Sequence, residues 1–273
     1  MKKKNSHISF QNFKENKLSI QFNLDGFSFC ITNSNTKQDV YFCEYTFEDT
    51  LKTPENLLEK IKEIFKNDTI LQEDFSEVNV IHQNELSSIV PNAFFSEEKL
   101  TSYLNYNIKT FATDFIAFDE IAQISAKSVY IPYVNINNYL FQNFGDFNYQ
   151  HHSTVLLEKY LNHNSAKEKV MYVNVSKNYL DIIVLQNNTL LLSNCFKFTT
   201  KEDFIYYILF VAEQLSLDNS KFSLYFTGQI ALESELYKIA YQYIKNCYFL
   251  ESKNEIFKHL DAANHNNYIL LGL

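Results

Sequence analysis

Three groups of side chains in this chain carry the chemistry that a site could use. His151 and His152 are adjacent, with Asp146 close by, and together they offer donors for a metal ion. Neighbouring residues at the start of a strand or helix point apart, whereas metal ligands need a converging spacing such as i, i+4 on one helix face. The pair is therefore expected to open a helix as polar residues, and no metal site is assigned. Asp114, Asp119 and Glu120 have the chemistry of a general acid and base. No partner for them stands out in the pattern, and they read as surface carboxylates. Cys30, Cys43, Cys195 and Cys247 lie far apart in apolar, strand-like surroundings, without a CxxC pair. They are expected to be buried, reduced thiols. No GxSxG, HExxH, phosphate-loop or GxGxxG pattern occurs, so no catalytic residue is assigned and hydrolases built on a nucleophile or zinc have no support.

The elements that must position such residues are well marked. Alternating runs at 18–24 and 27–33 flank Asp25-Gly26, a strong hairpin signal, and a third strand follows at 39–47. Thr53 and Pro54 then open an amphipathic helix with Leu57, Leu58, Ile61, Ile64 and Phe65 on one face. A strand at 76–82 implies a crossover and hence a mixed sheet. A short strand at 85–91, a helix at 96–107, strands near 114–125 and at 128–133, a helix ending at Gly145, and a helix at 153–163 are expected next. From Met171 the pattern starts again: strands at 171–175, 179–186 and 189–198, a helix capped by Thr199 or Thr200, a strand at 222–228, a helix at 231–244, and a strand near 247–251.

Composition narrows the function classes. The formal net charge of −8 disfavours a nucleic-acid partner, because affinity for phosphate backbones comes from Lys and Arg. Glycine numbers only 4, which is unfavourable for loops that cradle phosphate, while 25 Phe and 19 Tyr supply the core. Not all of these rings can be buried, and an exposed aromatic patch would mark a protein-binding surface. Residues 1–16, led by three lysines, are expected to be a disordered basic end. The longest apolar run, 204–212, is too short to span a bilayer and no signal-peptide core follows the basic end, so a cytoplasmic chain without a membrane span is expected.

The repeated order gives the expected fold class: α/β, with two lobes of β-β-β-α-β-α-β-α, residues 17–150 and 151–273, each a mixed sheet flanked by helices. This layout resembles the ribonuclease-H-like lobes of the actin, Hsp70 and sugar kinase superfamily. With "LSIQFNLDGFSFCI", "SIVPNAFFSEEKL" and the ending "NYILLGL", nearly the whole chain resembles a Bacteroidetes domain-of-unknown-function family with an actin-like ATPase fold. Its second half is also similar to the actin-like protein of type IV pilus machines.

The resemblance implies where a nucleotide would sit. In that superfamily each lobe's first hairpin carries an Asp that holds magnesium and glycines whose amides cradle phosphate. Here the second-lobe turn "VNVSKN" puts Asn174 where the Asp belongs and Ser176 where a glycine belongs. The first lobe offers Asn23 or Asp25 and Gly26, and the adenosine loop offers Gly228 alone. These are vestigial cofactor positions, and no cofactor is expected. The leading expectation is a non-catalytic scaffold with an actin-like ATPase fold that works through an unidentified protein partner. The alternative is a divergent ATPase or kinase binding ATP and magnesium, with Asp25 or Asp181 positioning the metal. Self-association as a homodimer or polymer is a third reading.

Overall fold

A computed structural model describes residues 1–7, 12–164, 167–260 and 262–272. Strand β1 (Lys2–His7) precedes a meander of β2 (Asn16–Asn23), β3 (Gly26–Asn33) and β4 (Asp39–Thr46). Helix α1 (Pro54–Asn67) starts where the Thr53 side chain accepts from the Asn56 amide and Pro54 fills the first turn. Its apolar stripe buries Leu57, Ile61, Ile64 and Phe65. Strand β5 (Glu77–His82) returns to the sheet, and β6 (Ser87–Pro91), α2 (Leu100–Leu104), β7 (Ala117–Ile121) and β8 (Ala126–Tyr130) form an inserted unit. Helix α3 (Val134–Phe144) ends on Gly145 at φ 72°, and β9 (Asn148–His151) runs straight into α4 (His152–His163). The second half comprises β10 (Val170–Val175), β11 (Tyr179–Gln186), β12 (Thr189–Lys197), α5 (Lys201–Gln214), β13 (Ser223–Gly228), α6 (Glu235–Tyr243) and β14 (Asn246–Phe249).

The duplication is visible in the sheet order. The first sheet runs β1-β4-β3-β2-β5-β9 and the second β12-β11-β10-β13-β14. From β4 and from β12 the two orders coincide, with the meander strands antiparallel and the next two parallel. Crossover connections that include a helix give parallel neighbours and hairpins give antiparallel ones, so this order follows from the alternation of elements.

Several local expectations change. Lys2–His7 is no disordered end: it pairs antiparallel with β4, and Lys3 Nζ lies 2.9 Å from the buried Asp68 carboxylate, which a cation must neutralise. Asp25-Gly26 does not form the two-residue turn; Asn23 pairs with Gly26, leaving Leu24-Asp25 as the turn and Gly26 as the first residue of β3. Glycine is required there because a Cβ would lie 2.7 Å from the Tyr45 carbonyl oxygen. The helix expected at 96–107 shrinks to Leu100–Leu104 after a 3-10 turn, since only Leu104 is buried and no apolar face sustains more. β6, β8 and β7 form a separate three-stranded sheet. The second unit closes on a 3-10 turn at Glu255–Lys258 and on turns through 264–272, where Asn267 at φ 50° interrupts any helix. The 150/151 junction falls inside β9.

One apolar cluster belongs to each lobe: Phe22, Phe27, Phe29 and Phe65 in the first, Phe204, Leu224 and Phe226 in the second. A third joins them. It combines Cys30, Phe42 and Ile81 of the first sheet, Val155, Leu156 and Tyr160 of α4, Tyr172 and Ile183 of the second sheet, and Leu270 and Leu271 of the C-terminal segment. Within it Tyr160 stacks on Tyr172 and Tyr268, with ring centroids 4.5 and 5.7 Å apart. The lobes therefore share a packed core on one side, and the cleft between their hairpins is left on the other.

Candidate functional site

The cleft forms where the carboxyl ends of the parallel strands β2 and β5 face those of β10 and β13, the position at which open α/β sheets leave a crevice. The two candidate hairpins come from opposite sides. Their side chains meet directly.

Gln83, immediately after β5, is central. Its Oε1 accepts from Gln21 at 2.7 Å and from Asn23 at 2.8 Å, and its Nε2 donates to Ser176 Oγ at 2.9 Å. Ser176, at the tip of the second lobe's first hairpin, is thus tied to the first lobe. Asp25 is engaged as well: its carboxylate accepts from Thr50 at 2.5 Å and lies 3.4 Å from Lys177 Nζ, which also donates to Thr50 at 3.3 Å. The Asp25 amide is taken by Asn23 Oδ1 at 2.8 Å. Two adjoining spaces of about 90 and 60 Å³ remain between the hairpins, both bordered by Asn23, Asp25, Gln83 and Ser176.

Asn174 has a different occupation. It is buried, donates from Nδ2 to Asp181 Oδ2 at 3.0 Å, and accepts at Oδ1 from Thr227 at 3.2 Å. Thr227 and Tyr160 hydroxyls are 2.6 Å apart, and His152 Nε2 is 3.1 Å from Asp181 Oδ1. Each hydroxyl has one proton, so Tyr160 donates to Thr227 and Thr227 donates to Asn174. The chain Tyr160, Thr227, Asn174, Asp181, His152 fastens α4 to three strands of the second sheet. Burial opposes ionisation of Asp181, yet the His152 imidazole, with help from Asn174 and Cys195, holds the carboxyl below its usual range. An amide is what position 174 needs, because it must donate to a carboxylate on one side and accept a hydroxyl on the other.

Gly228 sits at φ 82°, and a Cβ there would come within 2.3 Å of the Val175 carbonyl oxygen and 2.8 Å of Asn174 Oδ1. Its amide donates to the His265 carbonyl at 2.8 Å. Close approach of two strand ends, with positive φ, accounts for this glycine.

The other sequence candidates separate. His151 caps α4, its Nδ1 accepting from the Ser153 amide, while Nε2 donates to the Asn84 carbonyl at 3.1 Å; burial keeps it neutral. His152 turns the other way, to Asp181. Asp146 is exposed and borders a surface groove with Phe115, Phe141 and Tyr149. Asp119 accepts from Tyr130, the His151 amide and Thr154, and burial raises its carboxyl above the ordinary value despite these bonds. Asp114 closes a turn on the Phe111 amide, and Glu120 pairs with Lys127. These three carboxylates serve separate local structures. All four thiols are free, and burial pushes each upward, Cys43 to about 11.

Gln83, Thr50, Lys177 and His82 have no motif to announce them. Gln83 had one legible signal, its place at the carboxyl end of a strand parallel to β2. No described helix is long and apolar enough to cross a membrane.

A family model described as a protein of unknown function (DUF3822) matches residues 5–247. No curated protein matches the chain. A crystal structure from Bacteroides thetaiotaomicron VPI-5482, described as a protein with actin-like ATPase fold and unknown function, superposes with a TM-score of 0.81 at 23% identity, covering 89% of this chain and 94% of that one. The PilM-PilN type IV pilus biogenesis complex contains a chain that superposes with a TM-score of 0.55 at 9% identity, covering 91% and 90%. These likenesses establish an actin-like ATPase fold.

Proposed function

Because this chain belongs to the DUF3822 family of proteins of unknown function, we propose a function from its own site: a non-catalytic scaffold with an actin-like fold that acts through protein contacts. The observation that carries this reading is the direct bonding of the two hairpins. Gln83 with Ser176 and Asp25 with Lys177 use the groups that would otherwise face phosphate and metal. The apolar cluster shared by both lobes supports it, because opening the cleft would strain a packed core. Exposed rings at Phe115, Phe141 and Tyr149, around a groove of about 310 Å³, supply the apolar surface that protein contacts use. The PilM-PilN structure is itself a complex of a similarly folded chain with a partner. The compartment on this reading is the cytoplasm, supported by the four free thiols.

Isothermal titration with Mg-ATP tests the reading. No heat beyond dilution up to millimolar nucleotide is expected; a micromolar dissociation constant would overturn it. That second outcome would favour a divergent ATPase or kinase. The polar lining of the cleft, with Asp25 and Lys177 at its mouth, is the feature on which such an enzyme would draw.

A further inference from the structure

Sheet edges expose rows of unpaired backbone donors and acceptors, and proteins blunt them with charge, proline or brevity. Most edges here are blunted. β1 carries three lysines, β9 and β14 have four residues each, β7 carries Asp119 and Glu120, and β6 has five residues and ends in Pro91. β12 is different. It has nine residues, forms the outer edge of the second sheet, and carries no charge from Thr189 to Phe196.

The duplication shows what such an edge accepts. β4 holds the same place in the first lobe as β12 in the second, and β4 is covered by an added strand, β1, paired antiparallel over six residues. In the second lobe the described residues supply no counterpart. Beside β12 lies a groove of about 640 Å³, walled on the far side by Ser88, Ile89 and Pro91 of β6. β6 and β12 belong to different sheets, so the groove runs between two strand edges.

We propose that this groove binds an extended segment of a protein partner, which adds to β12 as a sixth strand of the second sheet. The proposal deepens the scaffold reading by locating one partner site. The ladder defines the free positions. Phe198 N–H donates to the Asn178 carbonyl at 2.9 Å. In an antiparallel ladder alternate residues face the neighbour, so Phe196 and Asn194 face β11 while Cys195 and Ser193 face outward. The Cys195 amide is already taken by the Asn194 side chain at 2.9 Å. A bulge at Leu191 shifts the register between Leu192 and Leu190, so the alternation holds down to Leu192 and Ser193 is the outward position it assigns to the receiving edge. All side chains lining the groove are uncharged, and Leu190, Leu191 and Leu192 lie among them. The occupant is accordingly an uncharged segment with apolar side chains at alternate positions, held by its backbone.

The probe is a phage-displayed library of random seven-residue peptides panned on the full chain, with the consensus peptide synthesised for fluorescence anisotropy. The expected consensus is uncharged and alternating. Its affinity should change less than twofold between 50 and 500 mM salt, and it should slow deuterium exchange at 189–193. Ser193→Pro removes an outward donor without touching the β11 ladder and should weaken binding at least tenfold; Ser193→Lys, which keeps the backbone, should weaken it if the proline variant fails to fold. Equal binding to both variants, a charged consensus, or unchanged exchange at 189–193 would refute the site. So would a dimer of the free chain, seen by light scattering, that Ser193→Lys dissolves, because the occupant would then be a second copy. Titration with Mg-ATP is independent of these results: nucleotide binding would sink the scaffold reading and leave the strand site standing.

Discussion

Gln83 and Ser176, ninety-three positions apart in the chain, are joined across the interlobe cleft by a 2.9 Å hydrogen bond from the glutamine amide to the serine hydroxyl. The same glutamine collects Gln21 and Asn23 from its own lobe. One side chain thus holds the floor of the first hairpin and the tip of the second.

Replacing Gln83 with Ala removes one acceptor for two amides and the bond across the cleft. Each net hydrogen bond contributes about 1 kcal/mol, and amides left unpaired in a half-buried site cost more. The variant is expected to lose about 1–3 kcal/mol in urea unfolding. It should also expose the 174–178 hairpin to faster deuterium exchange. Unchanged exchange there would mean that the contact does not hold the hairpins together.

Asn174→Asp replaces the amide with a carboxylate of the same shape. In this fold it would set a second carboxylate about 3 Å from Asp181. Two like charges at that distance cannot both ionise without cost, so one of the pair would titrate upward. The variant should be destabilised by about 3 kcal/mol at pH 7, and by less as the pH falls and the pair takes up a proton. A variant as stable as the parent at pH 7, or one that gains magnesium affinity by titration calorimetry, would contradict the role given to the amide.

His82 sets a pH dependence. It is buried, its Nδ1 accepts from the Tyr133 amide at 3.2 Å, and its Nε2 lies 2.9 Å from Asn137 Oδ1, which fixes the neutral form. Burial pushes its pKa down to about 4, with the Asn137 bond opposing only partly. An unfolded histidine titrates near 6.5, so between that pH and about 4 the unfolded state binds the extra proton. Stability is then lost as pH falls, at about 1.4 kcal/mol per pH unit for this residue. His151, lowered by burial and by the neighbouring His152, acts with the same sign. Asp119, Glu44 and Glu158, raised by burial, offset part of the loss. His82→Gln should flatten the stability profile between pH 6 and 4.5 by about one proton; parallel profiles for parent and variant would refute the assignment.

Lys159 is half-buried on α4 and donates to the carbonyls of Tyr268, Ile269 and Leu271 at 2.8, 3.2 and 2.7 Å. Burial lowers its pKa to about 8, although Asp39 opposes this. Asp39 itself holds the Gly272 amide at 2.8 Å, so the C-terminal segment is gripped from both lobes. Lys159→Met leaves three carbonyls without that donor and should cost about 3 kcal/mol, with protease cleavage appearing first after Ser252. Resistance equal to the parent's would show that the apolar residues Leu270 and Leu271 suffice.

The alternation of hydrophobic residues, the Thr53-Pro54 start of α1 and the restart at Met171 were enough to read both meanders, the crossovers and the duplicated order, because these features are local: period, caps and turn residues act within a few positions. Asn174 and Ser176 could also be seen to depart from a phosphate-binding hairpin. What neighbours them could not, since Gln83, Asp181 and His152 reach them only through sheet order and the angle between lobes. The N-terminal lysines show the same limit. Lys2–Lys4 look like a solvated tail until β4 offers an unpaired edge and Asp68 a buried charge. Sequence thus determined most of the strands and helices and that the chain repeats itself, but not strand β1 or the short extent of α2. Tertiary structure decided that the cleft residues bond to one another and that, among the described residues, β12 is left as an open edge, because both depend on distances between segments far apart in the chain.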